Sequence, residues 1–364
     1  YTVGGLIGKS TNDINISNVK SENSGVYVYG GFETGGLVGN SQKGNEFAVK
    51  DSKIIINKVE FANLDKGTKT WFGVGGIAGS ANIKTTISNV QLTAYNKDSF
   101  IGSKKDNKPL ATQTMNEGGL IGLSNGACTI TNTSVSVDVY GSNAGGFVGI
   151  NKNQLSIKDC YYGGTSETSA CGVYGYTSSG GMVGTQKAAA TLSKSAVIIA
   201  TIGIPIAKTG DAGIGGYVGI KANGDLKISD CEVNNVTLSA EDKSNGAGAG
   251  GVIGHNDRGS TYAYDILINK LGYVRGNNSV SVSNLIGWNY DKNLSSKFIG
   301  VSVNNTDCLP DIQYNASQIP ASFTAVHSDY NGTQNNTQNI GDGSSTHVDI
   351  YSPYVNKNPS VTVG

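Results

Sequence analysis

The histidines and cysteines of this chain are the residue types with the most chemistry to offer. His255 lies in the run GVIGHNDRG, close to Asp257 and Arg258, and the three side chains could form a polar cluster. None of the three histidines belongs to an HExxH or GxSxG motif, and none pairs with a cysteine at a recognisable spacing. The pattern favours an exposed turn around His255 over a catalytic centre.

Two aspartates, Asp159 and Asp230, occupy equivalent places in similar segments of the chain. Glycosidases use carboxylate pairs about 5 to 9.5 Å apart, and two steps of about 4.8 Å between parallel strands fall near that limit. Lys194 stands between the two aspartates, which favours a ladder of side chains that stabilises turns. The same place is filled elsewhere by Asn18, Lys58, Asn89, Asn132 and Lys270. The GGxGxD nonapeptide that binds calcium in some β-solenoids is absent from these segments. We therefore expect no metal site here, and we expect no catalytic or cofactor site in the chain.

The five cysteines show no CxxC spacing, which makes a zinc site a poor interpretation. Cys160 and Cys231 fall at matching places, and we expect both to be buried free thiols. The matching places in the other segments hold Val19, Val59, Val90, Thr133, Ser195 and Leu271. A Cys160–Cys171 disulfide that closes a short loop is the one pairing left open.

Three tyrosines, Tyr29, Tyr140 and Tyr174, each stand in a Val-Tyr-Gly triplet. A stripe of these rings would form a binding face for sugars or for a protein. The alternative is that the rings only cover the wall of the fold.

The charge balance narrows the class of partner. With 27 basic and 27 acidic residues the formal net charge is zero, so nucleic acid is a poor candidate. No run of 18 apolar residues is present, so we predict no membrane span in this segment.

A five-residue pattern of two small residues, two apolar residues and glycine returns nine times and must position all these side chains. Its starts are separated by 31, 40, 43, 27, 35, 35, 35 and 33 residues. A period near 35 predicts a stack of similar units. The motif begins at Gly4, Gly35, Gly75, Gly118, Gly145, Gly180, Gly215, Gly250 and, in the divergent form SNLIG, at Ser283.

Short alternating runs such as Leu155–Cys160 and Leu226–Cys231 follow the motifs, and alternation with period two is typical of half-buried strands. About three such strands per unit predict an all-β fold, a parallel β-solenoid (β-helix) of eight to nine repeats. Eight steps would stack to roughly 40 Å.

The paired motif glycines are predicted to serve structure. We expect them to adopt positive φ at a tight corner and to let stacked backbones approach closely. A phosphate-binding loop is excluded because no helix with a suitable Lys or acid follows. The pairs are Gly4 and Gly5, Gly35 and Gly36, Gly75 and Gly76, Gly118 and Gly119, Gly145 and Gly146, Gly180 and Gly181, Gly215 and Gly216, and Gly250 and Gly251.

The recurring GG-Φ-Φ-G units, with their G-L-x-G core, resemble the GLUG motif family of large bacterial surface proteins. That family includes adhesin-like proteins and some secreted IgA-protease-like peptidases. The resemblance extends from Gly4 to about Val303 and implies a cell-surface β-solenoid, with no catalytic residues to transfer.

We therefore expect residues 1–303 to form the solenoid and residues 304–364 a C-terminal cap and extended linker, with a strand at His347–Tyr351. The expected function is a non-catalytic extracellular adhesin, stalk or scaffold, as a fragment of a larger surface protein. Its partners would be a glycan, a host or cell-surface protein, or another copy end to end. The alternatives are a self-assembling filament or surface-layer subunit, and a carbohydrate-active or peptidase-associated module.

Overall fold

The computed structural model describes residues 2–22, 24–61, 72–110, 115–164, 166, 169–205, 209–240, 245–275, 280–289, 296–304 and 348–351. These residues form β-strands and turns and no α-helix. In this part of the chain no helix has the length and apolarity to cross a membrane. Cys308, His327 and His347 lie outside the described residues.

The strands fall into one large sheet, one nine-stranded sheet and one small antiparallel ladder. The strands of the large sheet are β1 Thr2–Gly4, β3 Ile14–Ser17, β4 Val26–Gly30, β5 Glu33–Gly35, β7 Glu46–Phe61, β8 Phe72–Gly75, β10 Lys84–Ala94, β11 Phe100–Gly102, β14 Met115–Gly118, β16 Cys128–Thr131, β17 Ser134–Ser136, β18 Asp138–Gly145, β20 Leu155–Lys158, β21 Tyr161–Gly163, β22 Cys171–Gly180, β24 Ala190–Ser193, β25 Ala196–Gly203, β26 Thr209–Gly215, β28 Leu226–Ala240, β29 Asn245–Gly250, β31 Thr261–Arg275, β32 Ser281–Ser283, β34 Ser296–Asn304 and β35 Val348–Tyr351. Those of the nine-stranded sheet are β2 Ile7–Ser10, β6 Val38–Ser41, β9 Ala78–Ala81, β15 Ile121–Ser124, β19 Val148–Asn151, β23 Val183–Gln186, β27 Val218–Lys221, β30 Ile253–Asn256 and β33 Ile286–Asn289. The small ladder joins β12 Lys104–Lys105 to β13 Lys108–Pro109.

The nine-stranded sheet contains one strand from each motif, and all its neighbours are parallel. The fourth motif residue of each repeat pairs with the fourth of the next, as Val148 does with Val183 and Val183 with Val218. Even the divergent motif keeps this register, because Ile253 pairs with Ile286. We call the strand segments contributed by one repeat a rung. The sequence period thus corresponds to nine successive rungs.

The large sheet follows the same order, since each rung pairs with the rungs before and after it. One row of inward-facing residues runs through it unbroken and is buried in every rung. Burying a column of Val, Ile and Leu is the main favourable term for such a fold. The parallel, all-β arrangement is compatible with a β-helix. The row is Ile16, Val49, Ile87, Ile130, Ile157, Leu192, Ile228, Ala263 and Phe298.

We expected the paired motif glycines to adopt positive φ and to allow close backbone approach, and only the second expectation is met. None has φ in the left-handed region, so conformational freedom is not their role. Their role is to allow close approach of the backbones, since a Cβ on Gly181 would lie 2.1 Å from the carbonyl oxygen of Gly216 in the next rung. A Cβ on Gly146 would lie 2.0 Å from the oxygen of Gly181. These glycines are needed because backbone of the adjacent rung occupies the space of a side chain.

Positive φ is found at a bend in the middle of the first eight rungs. Eight residues there, one per rung, have φ between 46° and 57°, where Asn and Asp are enriched. We call this bend the first bend. In the second and eighth rungs its left-handed residues are Asp51 and Asp265, whereas the sequence comparison of repeats had placed Lys58 and Lys270 there. The complete row is Asn18, Asp51, Asn89, Asn132, Asp159, Lys194, Asp230 and Asp265.

The residue after the first bend is correspondingly Ser52 in the second rung, where Val59 was expected. It is Ile266 in the eighth rung, where Leu271 was expected. Ser52 pairs with Val90, and Cys231 pairs with Ile266.

A second bend in the later rungs also uses left-handed residues. Asn235 and Lys270 have φ of 53° and 51°, and Ile199 in the preceding rung has φ of 53°. A β-branched residue in this region is a backbone outlier. Ile199 is therefore a point of stored strain.

The strand expected near the C-terminus is present as β35, which pairs in parallel with β34. Ser296 pairs with Val348 and Ile299 with Tyr351. Residues 305–347 lie outside the described residues, so the boundary between residues 1–303 and 304–364 stays a prediction.

Candidate functional site

The three tyrosines of the expected binding face do not form one stripe. Tyr140 pairs directly with Tyr174, and their rings stack with centroids 4.8 Å apart and planes 23° apart. Tyr29 pairs with Glu60, which pairs with Gly102, which pairs with Tyr140. Tyr29 is thus three rungs away, and it is 58% exposed whereas Tyr140 is 4% exposed. The face reduces to the Tyr140–Tyr174 pair.

A cation lies over one ring of this pair, Tyr140, and over the neighbouring Phe100 ring. Lys104 Nζ lies 4.8 Å from the ring centroid of Tyr140 and 4.6 Å from that of Phe100. The Phe100 ring meets Tyr140 edge-on at 6.1 Å. A partly desolvated cation over two rings contributes about 1 kcal/mol. Burial lowers the pKa of Lys104, and the charge of Asp138 acts in the opposite direction.

The Asp138 carboxylate links the cluster to the neighbouring rung by hydrogen bonds. Its Oδ1 accepts a hydrogen bond of 2.8 Å from the backbone N–H of Gly172, and its Oδ2 accepts one of 3.3 Å from the Tyr140 hydroxyl. Burial raises the pKa of Asp138, while the Gly172 N–H and Lys104 partly offset that rise. Burial is also the main reason that the pKa of Tyr140 is raised. The cluster can hold a ring or a ligand face in place, but its phenol groups are poor acids.

Glu117 is a buried carboxyl that sequence reasoning missed. It is fully buried; Oε2 accepts a 3.0 Å hydrogen bond from Ser142 N, and Oε1 has no partner among the described residues. Burial raises the pKa of Glu117 well above its usual range. The available signal was that the other rungs place small or apolar residues here, such as Val74 and Ala144.

His255 corrects the expectation of an exposed turn. It lies in β30 with 1% exposure, and its ring stacks on Trp288 at a centroid distance of 6.3 Å. Its Nε2 is 2.6 Å from Oδ1 of Asp257, and its Nδ1 has no partner among the described residues. The stacking of His255 on Trp288 packs one rung on the next.

Asp159 and Asp230 lie two rungs apart in the same row, as the sequence predicted. Lys158 pairs with Ser193 and Ser193 with Ser229, which places Lys194 between the two aspartates in the first-bend row. All three residues adopt left-handed φ. The cation between them and the shared bend conformation support the interpretation of a turn-stabilising ladder.

The described cysteines are all buried and free, so the candidate Cys160–Cys171 disulfide is not formed. The Cys160 thiol lies 3.1 Å from the carbonyl oxygen of Lys158, and the Cys171 thiol faces that of Ser169. Burial raises the pKa of Cys160 and Cys231 to about 11, and that of Cys128 and Cys171 to about 12. Cys160 and Cys231 behave as the buried free thiols that were expected.

Metal ligands do not converge in the part of the chain that the structure describes. Within those residues no group of three or more His, Cys, Asp or Glu side chains could hold an ion. The described clusters offer aromatic faces, amides and isolated carboxyls.

Comparisons with known proteins assign the chain to no family. No protein-family model matches it, and no curated protein matches it significantly. One similar solved structure is a protein from Bacteroides ovatus, provisionally assigned as an immunoglobulin A1 protease, with 16% sequence identity and a TM-score of 0.37. The match covers 75% of this chain and 74% of that chain. At that TM-score the likeness carries no argument about fold or activity.

Proposed function

We propose that this chain is a parallel β-solenoid that serves as a non-catalytic extracellular scaffold, either a stalk or an adhesin. The observation that carries the proposal is the fourth motif residue, which stays in register from Ile7 through nine rungs to Ile286. A stack in which each unit contacts only its neighbours forms a stiff, extended support. The resemblance of the motif to the GLUG family supports the same role.

The proposed location is the cell surface or the extracellular space. The four described thiols are compatible with an oxidising environment, because burial keeps them protonated and out of reach of oxidants. The proposed partners are a glycan or a cell-surface protein. Tyr174, the partly exposed ring of the Tyr140–Tyr174 pair, is the part of the expected face that is available to a protein partner.

Three experiments test this role. Antibody labelling and protease treatment of intact source cells should detect the chain outside the cell, and protection from both would contradict the location. Small-angle scattering should give an elongated particle of about 40 Å or more along the stack. An array of host proteins should retain the chain, with weaker binding by Tyr174→Ala and unchanged binding by the matched Tyr262→Ala. A blank array would leave the stalk role and remove the adhesin role.

The alternatives from the sequence stay predictions. A filament or surface-layer subunit predicts concentration-dependent oligomers in sedimentation, and a monomer at high concentration would exclude it. A carbohydrate-active or peptidase-associated module predicts cleavage of a polysaccharide or an immunoglobulin by the purified chain.

A further inference from the structure

A groove of about 400 Å³ runs along the outside of the first bend and crosses five consecutive rungs. One wall is formed by the left-handed residues Asp51, Asn89, Asn132 and Asp159. Their rungs are hydrogen-bonded neighbours, so the four side chains recur about every 4.8 Å and span about 14 Å, and the fifth rung with Lys20 extends the groove to about 19 Å. The groove is thus long, narrow and periodic.

The second wall stands two residues further along each rung. It consists of Lys53, Gln91, Ser134 and Tyr161, which pair with one another in that order. Lys53 and Gln91 are exposed, and Ser134 and Tyr161 are partly buried. Each of the three central rungs therefore contributes one outward side chain, one inward side chain and another outward side chain.

The floor between the walls offers little hydrogen bonding. Its hydroxyl groups are already engaged, because Ser52 Oγ donates to the Lys50 carbonyl at 2.7 Å and Thr133 Oγ1 donates to the Thr131 carbonyl at 2.8 Å. The residue between them is the buried Val90. A ligand would meet methyl groups at the floor and polar groups only at the walls.

The wall amides are held in place and keep unused capacity. Asn89 Nδ2 donates to Asp51 Oδ1 at 2.7 Å, and Asn132 Nδ2 donates to Asn89 Oδ1 at 3.3 Å. Each amide has two N–H donors, so one remains available at each asparagine. The Gln91 side chain forms no hydrogen bond with any described residue. The groove presents a pre-oriented series of donors and acceptors.

We propose that this groove binds a neutral, linear oligosaccharide, with about one sugar unit against each rung. Sugar hydroxyls both donate and accept hydrogen bonds, as the wall amides require, and the C–H faces of a pyranose suit the floor and the Tyr161 ring. The advance of an extended glycan per sugar unit is close to the spacing of parallel strands. This inference rests on the proposed adhesin role and deepens it, because it assigns the glycan partner to this groove and not to the Tyr140–Tyr174 pair.

Other ligand classes fit less well. The charges of Lys20 and Lys53 are balanced by those of Asp51 and Asp159, so the groove does not favour a polyanion. Asp51 and Asp159 are three rungs apart, about 14 Å, too far to share a metal ion. An added peptide strand is disfavoured because the rungs pair their backbone groups with each other.

The test measures binding of linear tetrasaccharides to the full chain by calorimetry and by ¹H–¹⁵N spectra of side-chain amides. The probes are the β-1,4 glucose, β-1,3 glucose, β-1,4 xylose and β-1,4 mannose tetramers. We expect at least one to bind and to shift the amide signals of Asn89, Asn132 and Gln91. Gln91→Ala should weaken binding about fivefold, the loss of one or two hydrogen bonds.

Three controls make the result decisive. Gln42→Ala removes an exposed glutamine outside the groove and should bind as the parent does. Asn89→Gly removes the wall amide, tolerates the left-handed φ, and should weaken binding with little change in melting temperature. Binding lost in Tyr174→Ala but kept in Gln91→Ala would place the site at the aromatic pair and overturn the proposal. Failure of all four tetrasaccharides at millimolar concentration would also overturn it, and would leave the scaffold role intact.

Discussion

Replacing Gly181 with alanine tests why the paired glycines recur. The new Cβ would sit 2.1 Å from the Gly216 carbonyl oxygen and 2.8 Å from both methyl carbons of Val197. Real Cβ contacts are essentially never shorter than 3.0 Å, so the two rungs must separate by about 1 Å at this point. The change is therefore forced on backbone, which cannot move aside as a flexible side chain can.

The magnitude follows from the hydrogen bonds beside that contact. Gly181 N donates to Gly215 O at 3.1 Å, and Met182 N and Val183 N donate to Tyr217 O at 3.0 and 2.9 Å. Weakening two of these costs about 1 kcal/mol each, and overpacking adds about 1 to 3 kcal/mol. We expect Gly181→Ala to lower the free energy of unfolding by about 4 kcal/mol.

Gly272→Ala is the matched control, because its Cβ would meet only Thr237 Oγ1 at an ordinary 3.6 Å. It should change stability by less than about 1 kcal/mol, and in the favourable direction if it changes it at all. The measurement is urea denaturation followed by circular dichroism at the same protein concentration. Equal midpoints for the two variants would refute the argument that close approach selects glycine at the motif.

Three further predictions concern strain, titration and thiol protection. Ile199→Asn should stabilise the chain by about 1 kcal/mol, because it relieves a β-branched residue at left-handed φ, whereas Ile198→Asn one residue earlier should not; a lower melting temperature for the first variant would contradict this. The raised pKa of the Glu117 carboxyl means that its contribution to stability is fully present below pH about 4.5 and is lost as pH rises, by up to about 1.4 kcal/mol per unit, until the folded-state pKa is passed. Glu117→Gln should therefore raise the melting temperature at pH 7.5 but not at pH 4. The control Glu46→Gln, at a partly exposed position, should not raise the melting temperature at either pH. In a Cys308→Ser background the four remaining thiols should resist a disulfide reagent at pH 8 until denaturant is added, since their pKa values lie at about 11 to 12; rapid labelling of the native chain would show that they are accessible.

The sequence predicted the fold best at positions where packing against the adjacent rung permits only one type of residue. The motifs predicted eight to nine repeats, and nine rungs are present among the described residues, because the fourth motif residue is apolar and in register in each of them. The role of the glycines was only half predictable: both positive φ and close approach select glycine, and the pattern alone does not separate them. The structure assigns positive φ to Asn18 and its row instead.

Register within a rung was harder to predict. β7 runs from Glu46 to Phe61 without a break, and the short apolar run that ends at Lys58 resembles the run that ends at the first bend of other repeats. Loops of different length hide which of two similar runs belongs to which row, so Asp51 and Asp265 were missed. Glu117 was missed for another reason: whether a carboxyl faces inward depends on a register that only the neighbouring rungs determine.

The column of motif glycines has a consequence for how such a chain can change its length. The shortest contact of the second glycine in each motif is with a main-chain carbonyl oxygen of the next rung, so it does not depend on which side chains that rung carries. One whole unit, for example the 35 residues from Gly180 to Ile214, begins with a glycine that pairs with Gly215, the first residue of the next unit. Duplication or loss of a unit would therefore preserve the junction. The number of rungs can therefore change in whole units without disturbing the register between the rungs that remain.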